Sequence, residues 1–184
     1  MGIKVLLTLL IGLFSFFRDR FLRFFGERPK IHMEFSPPDP AQYSVNGSQF
    51  FGHDEKHIFS WKAELRLYNK SGYDALGITV LDCRPVSLKQ SVLNSLPEHL
   101  KKHERKSCEW KITKSLSVPQ DAGPGEQGRI AARDCPQEWK EFVMTLAYSN
   151  VHGKLCYSRL QVKQGSPTLS YPFFNPNLWR RKGG

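Results

Sequence analysis

A chain of 184 residues carrying a net charge of +10 suits one domain with appendages. Apolar and charged content are those of an ordinary globular body, and a domain of roughly 130 residues can bury a core without disulfides. The four cysteines form no C-x-x-C pair, which removes support for a zinc ribbon or a thioredoxin-like site.

The positive charge is unevenly placed. Residues 1–30 hold six basic and two acidic side chains, residues 166–184 hold three basic and no acidic ones, and the 135 residues between contribute only +3. Charge gathered at the two ends fits an anionic membrane surface better than a nucleic-acid groove, which calls for a stripe on the folded body. A mildly basic domain kept soluble by its charge is the plainer alternative.

Val5–Phe17 runs thirteen residues without a charge. A cleaved signal peptide needs a small-residue site after such a run, whereas here Phe16-Phe17 leads straight into Arg18-Asp19-Arg20. A buried core helix of this length would have to hide a face of Leu and Phe against a body with its own core pattern. The preferred reading is a membrane anchor over residues 1–27. Leu7, Leu10, Phe14, Phe17, Phe21 and Phe24 recur every three or four residues on one helical stripe. The flanking basic residues are Arg18, Arg20, Arg23 and Arg28, and a helix from Ile3 to Phe25 would be about 34 Å long. It could span with tilt or lie in the interface with its arginines snorkelling, and its stripe also permits self-association. The excess of cations after the run places the body in the cytoplasm, at an inner membrane, with reduced cysteines.

The body, residues 28–164, reads as strands. Ile31, Met33 and Phe35 alternate, then Ser36-Pro37-Pro38-Asp39-Pro40 breaks the pattern and a polar stretch follows. Ile58–Tyr68 is the clearest strand, with Phe59, Trp61, Ala63, Leu65 and Leu67 on one side and polar residues on the other. Ala75–Leu81 follows a turn at Asn69–Gly72. Leu96–Lys106 reads as a short helix capped by Ser95, Val118–Gly128 as a loop and Arg129–Ala132 as a short strand. Cys108–Ile112, Phe142–Tyr148 and Cys156–Val162 alternate, the last two forming a hairpin.

About seven short strands with turns between them make a pattern that resembles the immunoglobulin-like and fibronectin type III superfamily over residues 30–163. Leu65–Gly72 followed by Ile78-Thr79-Val80 is similar to the strand–turn–strand of many bacterial Ig-like modules. The resemblance implies a mainly β, antiparallel Ig-like sandwich; the antibody-type Cys…Trp…Cys spacing is missing, and a small closed barrel gives much the same pattern. Residues 165–184 read as an extended Pro-rich basic tail, whose Tyr171, Phe173, Phe174 and Trp179 either fold back on the sandwich or dock into a protein partner.

Catalytic chemistry finds no foothold. His53 and His57 stand four apart with carboxylates between them, but at the entry to a strand, where that spacing does not bring the rings together; His99 and His103 are also four apart, without a third ligand and among basic neighbours. Gly123-Pro124-Gly125-Glu126-Gln127-Gly128 matches a dinucleotide fingerprint by letter but lacks the preceding buried strand, and Pro124 removes an amide a phosphate would use. No G-x-S-x-G, H-E-x-x-H or phosphate-loop motif occurs. The basic run Lys101, Lys102, Arg105 and Lys106 is the best candidate for anions or lipid headgroups. The sequence thus leads to the expectation of a membrane-attached, non-catalytic binding or accessory module with lipid and protein partners, no cofactor, no metal and no nucleic acid. The alternative is a ligand-gated membrane effector whose β domain senses a nucleotide.

Overall fold

The computed structural model describes residues 11–18, 28–51, 54–85, 89–119, 122–136, 141–163 and 165–175. Residues 11–18 form helix α1. Nine strands follow among the described residues: β1 Ile31–Ser36, β2 Tyr43–Phe51, β3 Asp54–Asn69, β4 Ala75–Arg84, β5 His99–Leu100, β6 Arg105–Ser117, β7 Glu141–Ser149, β8 Leu155–Lys163 and β9 Ser166–Ser170. Helix α2 (Lys89–Ser95) precedes β5, and helix α3 (Pro124–Asp134) lies between β6 and β7.

The strands make two antiparallel sheets. In the first, the 16-residue β3 is the spine. From Lys56 to Tyr68 it pairs with β6, while its other edge is shared: β2 takes the first half and β1 the second. The second sheet has the order β5-β4-β7-β8-β9. Strict alternation makes β3 the spine. Phe59, Trp61, Ala63, Leu65 and Leu67 are all at most 1% exposed, and of the residues between them Lys62, Glu64 and Arg66 reach solvent while Ser60 is buried and accepts from Asn46. Over the second half of β3 the inner face packs on the second sheet, with Met33, Leu65, Leu67 and Trp110 against Phe142, Met144, Leu146 and Leu160. Phe35 stacks on Phe142 at 3.9 Å between centroids. Over the first half the same face is covered by α3, which buries Ile130 and Ala131 in a separate cluster with Phe59, Trp61 and Leu116.

Several expectations need correction. The body has nine strands among its described residues, not about seven. The polar stretch after Pro40 contains β2; its alternation is hidden because a register shift between Val45 and Ser48, at Gly47 with φ +71°, interrupts the period. Leu96–Lys106 is not a helix. Pro97 disfavours helical backbone at Leu96, and fully buried Leu100 pairs with Ala75 in the sheet. Conversely, the loop and short strand expected over 118–132 hold α3. Proline at its first turn and Glu126 beside it are start signals that the two glycines masked. The sheet also continues past residue 164, where β9 pairs with β8 from Lys163↔Ser166 to Arg159↔Ser170.

Candidate functional surface: the loop end of the sandwich

The registers bring many chain reversals to one end. There β1 begins beside the close of β3 (Ile31↔Asn69), β6 begins opposite Tyr68, β4 begins against β5, and β7 turns into β8 (Ser149↔Leu155). The chain coming from α1 enters here at Arg28, and the chain leaving β9 returns here. The Arg28 guanidinium donates to the Pro172 carbonyl and lies 4.4 Å from the centre of the Phe173 ring.

Buried Asn69 organises this end. Its amide donates to the carbonyls of Tyr73 (2.8 Å), Leu100 (3.2 Å) and Lys101 (3.2 Å), and its side-chain oxygen accepts from Ser71. Its backbone N–H donates to Glu104 O and its carbonyl accepts from His103 N–H, while the next amide, Lys70 N–H, donates to Lys30 O. One side chain therefore ties loop 70–74 to loop 101–104 and to the start of β1. His103 is held at φ 60°, a left-handed conformation that costs a non-glycine residue about 1 kcal/mol. The amide bond to Asn69 offsets that cost. Asn150 does similar work in loop 150–154, where its side-chain oxygen accepts from His152 and Lys154 N–H and Gly153 supplies φ +75°.

Tyr148 closes the floor beneath these loops. Its hydroxyl accepts from Ile31 N–H (3.3 Å), donates to Pro29 O (3.2 Å) and lies 2.7 Å from Ser158 Oγ. Burial pushes its pKa up to about 12, against the opposing pull of the Ser158 bond. Burial likewise raises the nearby Cys156 thiol, with Arg28 opposing. All four cysteines are buried free thiols.

The acidic residues of these loops are bonded to loop amides. Asp74 accepts from Lys102 N–H at 2.8 Å, and Glu104 accepts from Lys101 N–H at 2.8 Å. The Lys101 amide, with the charge of Lys106 added, holds Glu104 below the usual carboxylate range. The carboxylates thus serve the turns, and the exposed side chains of Lys101 and Lys102 dominate the surface. From this end a groove of about 520 Å³ runs along the outer face of the first sheet, lined by His32, Glu34, Arg66, Tyr68, Lys70, Arg105, Lys106 and Ser107. Arg105 lies 4.6 Å over the Tyr68 ring. Arg66 forks onto Glu64 at 3.0 and 2.8 Å, and that bond, with one from Ser107, keeps the Glu64 carboxyl low.

The sequence-derived residues distribute unevenly over this picture. Lys101, Lys102, Arg105 and Lys106 come together, although on a turn and a strand rather than a helix. Phe173 and Phe174 are exposed and Tyr171 half-buried beside the same end. Arg28, grouped by sequence with the membrane-flanking arginines, is 9% exposed and bonded within the body. Phe14, Phe17 and Arg18 fall in α1. Leu7, Leu10, Arg20, Phe21, Arg23, Phe24 and Trp179 lie outside the described residues, as does His53. Sequence reading missed Asn69 and Tyr148; an Asn closing the longest alternating run is a turn signal, but nothing local marks it as a hub.

Gly123 caps α3 and so opens a helix, as a dinucleotide fingerprint does. Its flanking strands β6 and β7, however, belong to different antiparallel sheets, so no parallel β-α-β unit surrounds it. Among the described residues no cluster of three or more metal-ligating side chains occurs.

These features define a two-sheet antiparallel β protein with a basic loop end. No family model matches the chain, and no curated protein matches it. A solved structure described as the X-ray structure of Northeast Structural Genomics Consortium target SoR45 is similar over 80% of this chain and 89% of its own, at 12% identity and a TM-score of 0.21. A score that low carries no argument about fold or function.

Proposed function

We propose that this protein is a membrane-attached, non-catalytic binding module: an Ig-like sandwich held at a bilayer by its N-terminal apolar segment and presented to a protein partner on the cytoplasmic side. The observation that carries the attachment is the state of α1. Ile11, Leu13, Phe14, Phe16 and Phe17 are each between 51% and 73% exposed, so more than half of the surface of each stays open. Large apolar side chains grouped in this way favour lipid over water, at about 25 cal/mol per Å² removed from water. Among the described residues no helix is long and apolar enough to cross a membrane. The reading commits to attachment by this segment, whether it spans or lies in the interface, with Arg18 at headgroup level.

The Ig-like reading is supported by strand order. The sequence β1-β3-β6 in one sheet and β5-β4-β7-β8 in the other follows the A-B-E and C′-C-F-G arrangement of that fold, with β2 and β9 as additions. Restriction to a surface raises the local concentration of a binding module for any partner at that surface.

The test is flotation of the full chain with neutral phosphatidylcholine vesicles. The chain is expected to float, and Phe14→Ser with Phe17→Ser to leave it in the aqueous fraction with the melting temperature of its body unchanged. A monodisperse chain that ignores vesicles without detergent would overturn the reading. Thermal stabilisation by a cyclic nucleotide would replace partner binding with the nucleotide-sensing alternative, with the basic groove as the binding place.

A further inference from the structure

The loop end does more than receive the chain from α1. We propose that it is itself a membrane-contacting surface, seated on anionic lipid headgroups through Lys70, Lys101 and Lys102, with Val151, Phe173 and Phe174 entering the interface. The inference rests on the attachment reading above and adds which face of the body the bilayer meets.

Three independent features converge on this end. The first is chain path. Arg28, the first described residue after α1, is bonded to Pro172 and stacked on Phe173, so the entering and leaving segments meet at one place. Whatever holds the N-terminal segment at a surface keeps this end within the roughly 35 Å that ten residues can reach.

The second is charge orientation. Lys70, Lys101 and Lys102 are exposed on loops whose backbones are locked together by Asn69. The acidic residues of those loops are spent on backbone amides, Asp74 on that of Lys102 and Glu104 on that of Lys101. A turn that fixes its two carboxylates on backbone amides and leaves its three lysines exposed presents a net positive face to a negatively charged plane. Each such lysine strengthens attachment to an anionic surface about fivefold, an effect that fades within a Debye length and weakens with salt.

The third is exposed apolar surface on the same end. Val151 stands at the tip of the β7–β8 hairpin, and Val151, Phe173 and Phe174 are all more than half exposed. Phenylalanines beside cations on a surface suit the boundary between headgroups and acyl chains. The opposite end offers a contrast: there the apolar residues Phe59 and Trp61 are sealed under α3.

The experiment footprints lysines on the full chain bound to vesicles of phosphatidylcholine alone or mixed with phosphatidylserine, by acetylation and mass spectrometry. On the mixed vesicles Lys70, Lys101 and Lys102 are expected to react more slowly than on neutral ones. Exposed Lys111, on the outer face of the first sheet away from this end, is expected to react at an unchanged rate. Lys101→Glu with Lys102→Glu should weaken binding to mixed vesicles several-fold more than Lys111→Glu with Lys62→Glu, an equal change of charge in another place. Flotation with both vesicle types while Lys70, Lys101 and Lys102 stay as reactive as Lys111 overturns the contact and leaves the attachment standing. Flotation with mixed vesicles alone, with the loop lysines protected, supports the contact and overturns attachment by the apolar segment. Failure to float with either removes both.

Discussion

The two ends of β3 are stabilised by different means, and the difference decides which side chains each end leaves exposed. At its N-terminal half, Phe59 and Trp61 lie under α3 in an apolar cluster with Leu116, Ile130 and Ala131. At its C-terminal end, Asn69 holds two loops and the first strand by hydrogen bonds. Apolar burial consumes the side chains it uses. Hydrogen bonding through one buried amide consumes backbone groups and leaves the loop side chains facing outward. An end built in the second way can be rigid and still present lysines.

The contrast breaks most visibly at the apolar end. Trp61→Ala empties a large, fully enclosed site and is expected to cost about 3–5 kcal/mol, seen as a lower urea midpoint together with loss of α3 helicity. If the unfolding free energy falls by less than about 1 kcal/mol, α3 is not packed on the spine as described.

Next comes the polar end. Asn69→Ala leaves the carbonyls of Tyr73, Leu100 and Lys101 without their donor, and a loss of about 2–3 kcal/mol follows from such orphaned groups. The expected signature is early proteolytic cleavage within 70–74 or 101–104, with α3 intact. Equal loosening at both ends would show that they are not separate structures.

The smallest effect sharpens the floor between them. Tyr148→Phe removes the bonds to Pro29 and Ile31 at an expected cost of about 1 kcal/mol at neutral pH. With a folded pKa near 12 against about 10 when unfolded, the folded state holds its proton longer than the unfolded state does. Its stability contribution is therefore complete below pH ~10 and is lost as pH rises through about 12. The phenylalanine variant lacks that alkaline loss, so the two stability curves should converge above pH ~10 in denaturant titrations.

Much of the body was legible in the sequence, and the misses share a cause. Strands β1, β3, β4, β6, β7 and β8 announce themselves because alternation is a local property of a half-buried sheet. β2 was hidden by a bulge, and α3 by glycines that its packing on Phe59 and Trp61 overrides. The basic run at 101–106 was visible, but its helical reading failed because the decisive partners of Leu100 and Lys101 lie some 25 to 32 residues away in Ala75 and Asn69.

The sequence by itself determined the β class, the inner face of the spine and the concentration of positive charge near both termini. The tertiary structure alone decided that β1 starts and β9 returns at the same end, where Arg28 meets Phe173 and the lysine loops stand beside them. The reason is that alternation is set by neighbours two residues apart, whereas the meeting of segments 145 residues apart follows from how many strands reverse between them and in what order they pair.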